Sequence, residues 1–518
     1  MATKTTTVSQ TNDEKPAAET NTHPNDRKFD PKWLALGIAG AVVIIGGVVV
    51  VNNNLGKTPV GTSGITIDNG DTKINWSKYS SYDVDLNSIE SYTITKAGIY
   101  HFTGTLKDGG ITVNTAATDP VKIILDGVTI SNSSGPAITC YEADDLVIEL
   151  VGDNTLSDST SYASTYDEDV TGVIYSKADL TFEGTGTLNL TANYQDGIVG
   201  KDDLKINSGI INITAADDGI RGKDSVYIVG GTINISSKGD GIKSTNDTDS
   251  DKGFVLIEGG DIVISAGDDG IHALSQLIVK GGTINIAKSY EGLEAKKITI
   301  SGGDVSVNAS DDGINAGGGS DSTTATGQGA TSYDTGCMLI IEGGNLYVNA
   351  AGDGVDSNGY IYFNGGTVIV DGPTNNGNGA LDAGISIQQN GGTVIAVGAS
   401  GMAETLGSTS TVNNVSIYFS ATQTAGTKIE IKDSAGNLVT SFTSAKLFNH
   451  MAVGSPDFKT GETYTIYING TEYQSFAVSA ITTTVGSGGM TPGGQPGAQR
   501  STGTTNATQT TNTTGRTR

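Results

Sequence analysis

A short phrase returns through the middle of this chain, and it restricts the fold more than any other feature. It reads Asp196-Gly197-Ile198, Asp218-Gly219-Ile220, Asp240-Gly241-Ile242, Asp269-Gly270-Ile271 and Asp312-Gly313-Ile314, with variants at Glu291-Gly292-Leu293 and Asp353-Gly354-Val355. Its glycines step by 22, 22, 29, 22, 21 and 41 residues. A second marker, Gly-Gly, falls between the beats at Gly230-Gly231, Gly259-Gly260, Gly281-Gly282, Gly302-Gly303, Gly343-Gly344 and Gly365-Gly366. A fixed period of this size means supersecondary units that stack on their neighbours.

Inside each unit the pattern is that of strands. Tyr227-Ile228-Val229, Ile233-Asn234-Ile235, Ile262-Val263-Ile264 and Ile284-Asn285-Ile286 are short and rich in β-branched residues, and most alternate with period two. No unit holds a run long enough, or free enough of Gly, to be a helix. Short strands joined at Gly-rich corners, where Gly allows backbone angles closed to other residues, stack into parallel sheets about 4.8 Å apart. A unit near 22 residues predicts an all-β, right-handed parallel β-helix rather than the left-handed form built of hexapeptides. The calcium-binding nonapeptide roll is disfavoured, because the aspartates do not recur every nine residues.

Composition suits a thin solenoid: 73 of 518 residues are Gly and 36 % are hydrophobic. A formal net charge of -26 argues against nucleic acid, whose phosphates need Lys and Arg. The two cysteines, Cys140 and Cys337, make neither a disulfide framework nor a CxxC site.

Residues 1–32 are polar and Thr-rich, the composition of a disordered cytoplasmic tail. Trp33 to Val51 carries no charge and is long enough to cross a bilayer as a helix. No small-x-small cleavage site follows it, so an uncleaved anchor is expected rather than a signal peptide. Arg27, Lys28 and Lys32 precede the span and only Lys57 follows closely, which places the bulk of the chain outside the cell. A linker over 52–64 leads to the β-helix over 65–411, interrupted by a Gly/Ser/Thr/Ala insertion from Gly317 to Gly336. From 412 to 480 the strands alternate between turn signals such as Asn469-Gly470, which predicts an antiparallel β module. A Gly/Thr-rich disordered tail occupies 481–518.

Stacking turns the repeat into columns. Before the Gly stand Asp196, Asp218, Asp240, Asp269, Glu291, Asp312 and Asp353; two places after it stand Val199, Arg221, Lys243, His272, Glu294, Asn315 and Asp356. Two unit charges about 4.8 Å apart repel by about 3–4 kcal/mol at an effective dielectric near 20. Such a column needs protons, bound cations or neighbouring Arg and Lys. Oxygen ligands on short turns suit Ca²⁺. The candidate ligands are Asp268, Asp269, Glu291, Glu294, Asp311 and Asp312, with Asp353 and Asp356 as a second group. Asp217, Asp218 and Asp240 face Arg221 and Lys243, where salt bridging competes with metal. The alternative is that each Asp only bonds backbone N–H groups at its turn. His272 reads as a filler of the stack.

The repeated Asp-Asp-Gly-Ile, the variant Ser289-Tyr290-Glu291-Gly292-Leu293-Glu294-Ala295-Lys296 and the strand Gly281 to Ile286 give the chain a family likeness. Over roughly residues 85–480 it resembles a bacterial family of secreted or surface-attached carbohydrate-binding β-helix proteins, typified by a clostridial cellulose- and acidic-sugar-binding protein. The resemblance implies a pectate-lyase-like scaffold, calcium along the turns, and polysaccharide binding without established cleavage.

The leading expectation is therefore a monomeric, membrane-tethered extracellular protein that binds a cellulose-like or uronate-containing polysaccharide. Ca²⁺ would pin the coils and bridge to uronate carboxylates. Arg221 and Lys243, and the outward strand positions Asn212, Asn234, Asn285, Ser306 and Tyr347, are the candidate sugar contacts. A polysaccharide lyase using Arg221 or Lys243 as base, and a purely structural surface protein, are the alternatives.

Overall fold

The computed structural model describes residues 74–317 and 333–487. The expected tail over 1–32, anchor over 33–51 and linker over 52–64 lie outside the described residues, as do most of the Gly317–Gly336 insertion and of the C-terminal tail. Among the described residues no helix is long and apolar enough to cross a membrane.

The described chain is all-β, and each repeat contributes three strands at three corners. In one coil these are Ile220–Gly222, Ser225–Ile228 and Thr232–Ser236, after which Ile242–Ser244 opens the next. Like strands pair in parallel from coil to coil, giving three ladders. The first puts Ile198, Ile220, Ile242, Ile271, Leu293, Ile314, Val355 and Leu381 in one column. The second runs from Ser81–Asp85 to Ser386–Gln389, the third to Thr393–Gly398. Period-two alternation sends Ile233 and Ile235 inward and leaves Asn234 on the outer face. Such inward aliphatics form one continuous buried core along the stack. Removing each large aliphatic side chain from water contributes about 1.5–3 kcal/mol.

The two glycine markers do different work. In Gly-Gly pairs the second residue takes a left-handed backbone, as at Gly231 with φ 100°. The Asp-Gly glycines do not have positive φ, which departs from the expectation for every Gly corner. They are required for close approach: a Cβ on Gly241 would lie 2.5 Å from the Gly270 carbonyl oxygen and 2.5 Å from Cγ2 of Ile264.

At the C-terminal end Phe448–Gly454 lies antiparallel on Thr393–Gly398 and covers the last edge of the third ladder. Asn414–Gln423 pairs with the same strand, and Thr482–Val485 pairs with Asn414–Gln423, so the module runs to Val485 rather than stopping at 480. Its separate four-stranded sheet is antiparallel, in the order Leu438–Thr443, Lys428–Asp433, Thr463–Ile468, Thr471–Ala477. Asn469 and Gly470 both have positive φ, as a two-residue hairpin turn requires.

Candidate functional site

Successive Asp-Gly corners are tied by their own carboxylates. Oδ1 of Asp196 accepts the Asp218 N–H at 3.2 Å, Asp218 accepts that of Asp240 at 2.9 Å, and Asp240 accepts that of Asp269 at 2.9 Å. Asp269 accepts from Glu291 N–H at 3.2 Å, and Asp312 from Asp353 N–H at 2.6 Å. A reciprocal bond runs from Gly241 N–H to the Asp269 carbonyl at 2.9 Å. One carboxylate oxygen per corner thus has a structural task. The other is left for the column two places after the Gly, in which Val199, Arg221, Lys243, His272, Glu294, Asn315, Asp356 and Asp382 are in register.

That column changes sign along the stack. Arg221 lies 2.8 Å from Oδ2 of Asp196 and donates to Thr171 Oγ1 at 2.7 Å; Lys243 lies 2.7 Å from Oδ2 of Asp240. His272 is fully buried, with Nδ1 3.4 Å from Asp269, 3.4 Å from Glu294 and 3.9 Å from Asp240. Burial pulls its pKa down, but the three carboxylates outweigh that and raise it to about 9. The three carboxylates thus hold His272 towards its protonated form, so it carries charge in the stack as well as filling it.

Further along, the internal cations stop. Among the described residues no ion pair reaches Glu291, Asp312, Asp353 or Asp356. Burial, and then neighbouring carboxylates, push Glu291 up to about 8, Asp312 to about 7 and Asp356 to about 8. Glu294 is likewise raised to about 8 by burial, with His272 acting against the rise.

Asp269, Glu291 and Glu294 each offer an oxygen within 4.8 Å of the others. An all-oxygen set of this kind is suited to a hard cation such as Ca²⁺. Asp240, Asp269 and His272 also converge, a mixed set in which a metal would have to displace the proton that the surrounding carboxylates favour on the imidazole. Beside Glu291, Asn315 donates through Nδ2 to Oε2 at 3.0 Å, while its buried Oδ1 has no hydrogen-bond partner. That orphaned acceptor is a further oxygen available to a cation.

The other candidates are distributed differently. Asp217 and Asp268 are exposed on the outer side of their corners, whereas Asp218 and Asp269 are buried. Asp311 is half-buried and shares a hydrogen bond with Tyr290. Asp312, Asp353 and Asp356 interact with Asp382, and burial plus Asp382 raises Glu404 to about 7. Asp382 escapes the sequence pattern because its coil has Gly379-Ala380 where the others have Asp-Gly, and Glu404 because it lies outside any strand, beyond Thr393–Gly398. The available signal was Leu381, which continues the Ile column.

On the outer face of the third ladder, Asn189, Asn212, Asn234, Val263, Asn285, Ser306 and Tyr347 form one column. The amides link up: Asn234 donates to Asn212 at 2.9 Å, and Asn212 to Asn189 at 2.9 Å. They line a shallow groove of about 370 Å³ with Thr214, Ser236 and Ser265. The column is not open throughout. Tyr347 donates to Asp371 at 3.0 Å, Asp371 also holds Ser444 at 2.6 Å, and Ile369 packs against the C-terminal module.

A solenoid with an amide-lined outer groove and acidic corners is the context for the comparisons with known proteins. Residues 88–336 match the carbohydrate-binding domain-containing protein family. This carbohydrate-binding domain match includes the corners from Asp196 to Asp312 and the amide groove, and stops before Asp353, Asp356 and the C-terminal module. A carbohydrate-binding domain-containing protein of Acetivibrio thermocellus is 36 % identical over 168 residues, which are 31 % of this chain and 59 % of that relative's length. A solved structure described as a polysaccharide lyase-like protein from C. thermocellum is 32 % identical, covering 44 % of this chain and 94 % of that one, with a TM-score of 0.38.

Proposed function

We propose that this chain is an extracellular polysaccharide-binding protein, held to the cell membrane by the span over 33–51 and stabilised by Ca²⁺. The observation that carries the reading is the amide-lined groove. Asn189, Asn212 and Asn234 repeat their side chains at the coil spacing, within the segment that matches the carbohydrate-binding domain family. Each linked amide keeps one further N–H and at least one further lone pair, so the groove offers regularly spaced donors and acceptors to sugar hydroxyls. The right-handed winding of the coils belongs to the same proposal.

Ca²⁺ would sit on Asp269, Glu291 and Glu294, where an oxygen-only set lies next to the last internal cation. Bound there, it would supply positive charge to Glu291, which no ion pair among the described residues reaches, and add to that of His272 on Asp269 and Glu294. Arg221 and Lys243, the bases a lyase would use, are each held by a buried carboxylate, which favours binding over cleavage.

Gel retardation of the full chain by soluble neutral glycans tests the groove. Retardation that falls in Asn212→Val and Asn234→Val supports the reading, while unchanged retardation in both overturns the assignment to this face. Following ultraviolet absorbance of polygalacturonate with calcium tests the alternative: sustained release of unsaturated products would replace binding by lyase activity.

A further inference from the structure

Where the first ladder turns into the second, each coil places one residue just after the short strand. Ser176, Gly200, Gly222 and Ser244 are in register, so the residues that follow them, Lys177, Lys201, Lys223 and Thr245, form a column of their own. Backbone bonds continue through it, from Lys201 N–H to Ser176 at 2.8 Å and from Lys223 N–H to Gly200 at 2.8 Å. Three lysines thus stand on successive coils of a chain whose net charge is -26. Like charges at that spacing repel unless an anion lies across them.

The anion present is the chain's own. The segment between Asp153–Ser157 and Gly172–Ser176 leaves the stack and brings Asp167, Glu168 and Asp169 back over the lysines. Asp167 lies 3.3 Å from Lys177 and Asp169 lies 3.5 Å from Lys201. Asp169 is also anchored by the Tyr175 hydroxyl at 2.8 Å. Between the segment and the column is a cleft of about 360 Å³, lined by Glu168, Asp169, Thr171, Lys201, Arg221 and Lys223 among others. The aspartates that follow the lysines have other partners: Asp179 accepts the Asp203 N–H at 3.2 Å, Asp202 lies 4.0 Å from Lys252, Asp224 holds Lys252 and Asn246, and Asp203 accepts from Ser225 at 2.6 Å.

We propose that the Lys177–Lys201–Lys223 column is a binding site for an acidic polysaccharide, and that Asp167, Glu168 and Asp169 occupy it in cis as a built-in competitor. A chain with a carboxylate on each sugar could place successive anions on successive lysines. To do so it must displace ion pairs that are more than a third exposed on the carboxylate side and individually weak. The inference rests on the reading that the protein binds polysaccharide. It differs from that reading in using lysines rather than Ca²⁺ or the amide groove.

The test is affinity electrophoresis of the full chain in gels containing polygalacturonate and a calcium chelator, with dextran gels as the neutral control. Neutralising the segment with Asp167→Asn, Glu168→Gln and Asp169→Asn together is expected to raise affinity for polygalacturonate roughly tenfold, from removal of both surface ion pairs and of the Glu168 charge that lines the cleft. Lys201→Ala with Lys223→Ala should lower it by a similar factor, leaving mobility in dextran unchanged. A gain of affinity shows that the variant is folded, so the result does not depend on a loss. Equal affinity in wild type and the neutralised variant, or a gain that appears equally in dextran, overturns the inference. Retardation by neutral glycans that depends on Asn212 and Asn234 would stand either way.

Discussion

The Asp240 N–H donates to Oδ1 of Asp218, one coil earlier, at 2.9 Å, and Asp218 is itself buried. The corner aspartate is thus an acceptor first and a charge second, and the two roles can be separated by substitution. Asp218→Asn keeps an acceptor oxygen and discards the charge, so it should leave stability at neutral pH unchanged or slightly raised. Asp218→Ala strands a buried N–H and should cost about 1–3 kcal/mol in urea unfolding. Equal losses in the two variants would show that the charge, not the hydrogen bond, holds the corner.

The carboxylates set a pH dependence whose sign is fixed. Burial and like charge raise Asp218 to about 7, Asp312 to about 7 and Asp356 to about 8. In the unfolded chain an Asp loses its proton near about pH 4. Between those values the folded state holds protons that the unfolded state has released, so the unfolding free energy falls as pH rises. His272 acts in the same sense, since its raised pKa contributes stability that is full below about 6.5 and lost as pH rises through about 9. In chelator, the melting temperature should drop steadily from pH 5 to pH 9. A maximum at pH 8 without metal would contradict this.

Glycine substitutions should divide by mechanism. A Cβ at Gly241 would meet backbone and Ile264, each at 2.5 Å, so Gly241→Ala should cost about 1–3 kcal/mol or more through overpacking. At Gly230 the nearest atom would be 3.3 Å away, and φ is not positive, so Gly230→Ala should cost far less. Thermal melts of the two variants, compared with wild type, check the difference.

Much of this architecture was legible in the sequence because a solenoid writes its period directly into the chain. Ile220, Ile242 and Ile271 repeat as spaced, and the columns follow from stacking alone. What spacing could not supply was direction. It gave Arg221 and Lys243 as neighbours of Asp217, Asp218 and Asp240, but Arg221 reaches back one coil to Asp196. Nor could it tell which aspartate of an Asp-Asp pair is buried, since both precede the same Gly. Tyr347 looked like a sugar contact because the strand pattern points it outward; its hydroxyl is instead taken by Asp371, which also holds Ser444 of the distant C-terminal module. The lysine column had a short signal in the repeated Gly200-Lys201-Asp202 and Gly222-Lys223-Asp224, with Ser176-Lys177 one unit earlier, which the stronger Asp-Gly-Ile beat obscured.

Calcium titration of thermal unfolding at pH 8 tests the central claim most directly, namely that the run of carboxylates beyond His272 is completed by a divalent cation. Calcium should raise the melting temperature of wild type, by an amount equivalent to about 2.7 kcal/mol at one hundred times the dissociation constant. Glu291→Gln combined with Glu294→Gln should abolish the response, and Mg²⁺ should be a weak substitute. A melting temperature indifferent to calcium, or a double variant that responds as wild type does, would contradict it.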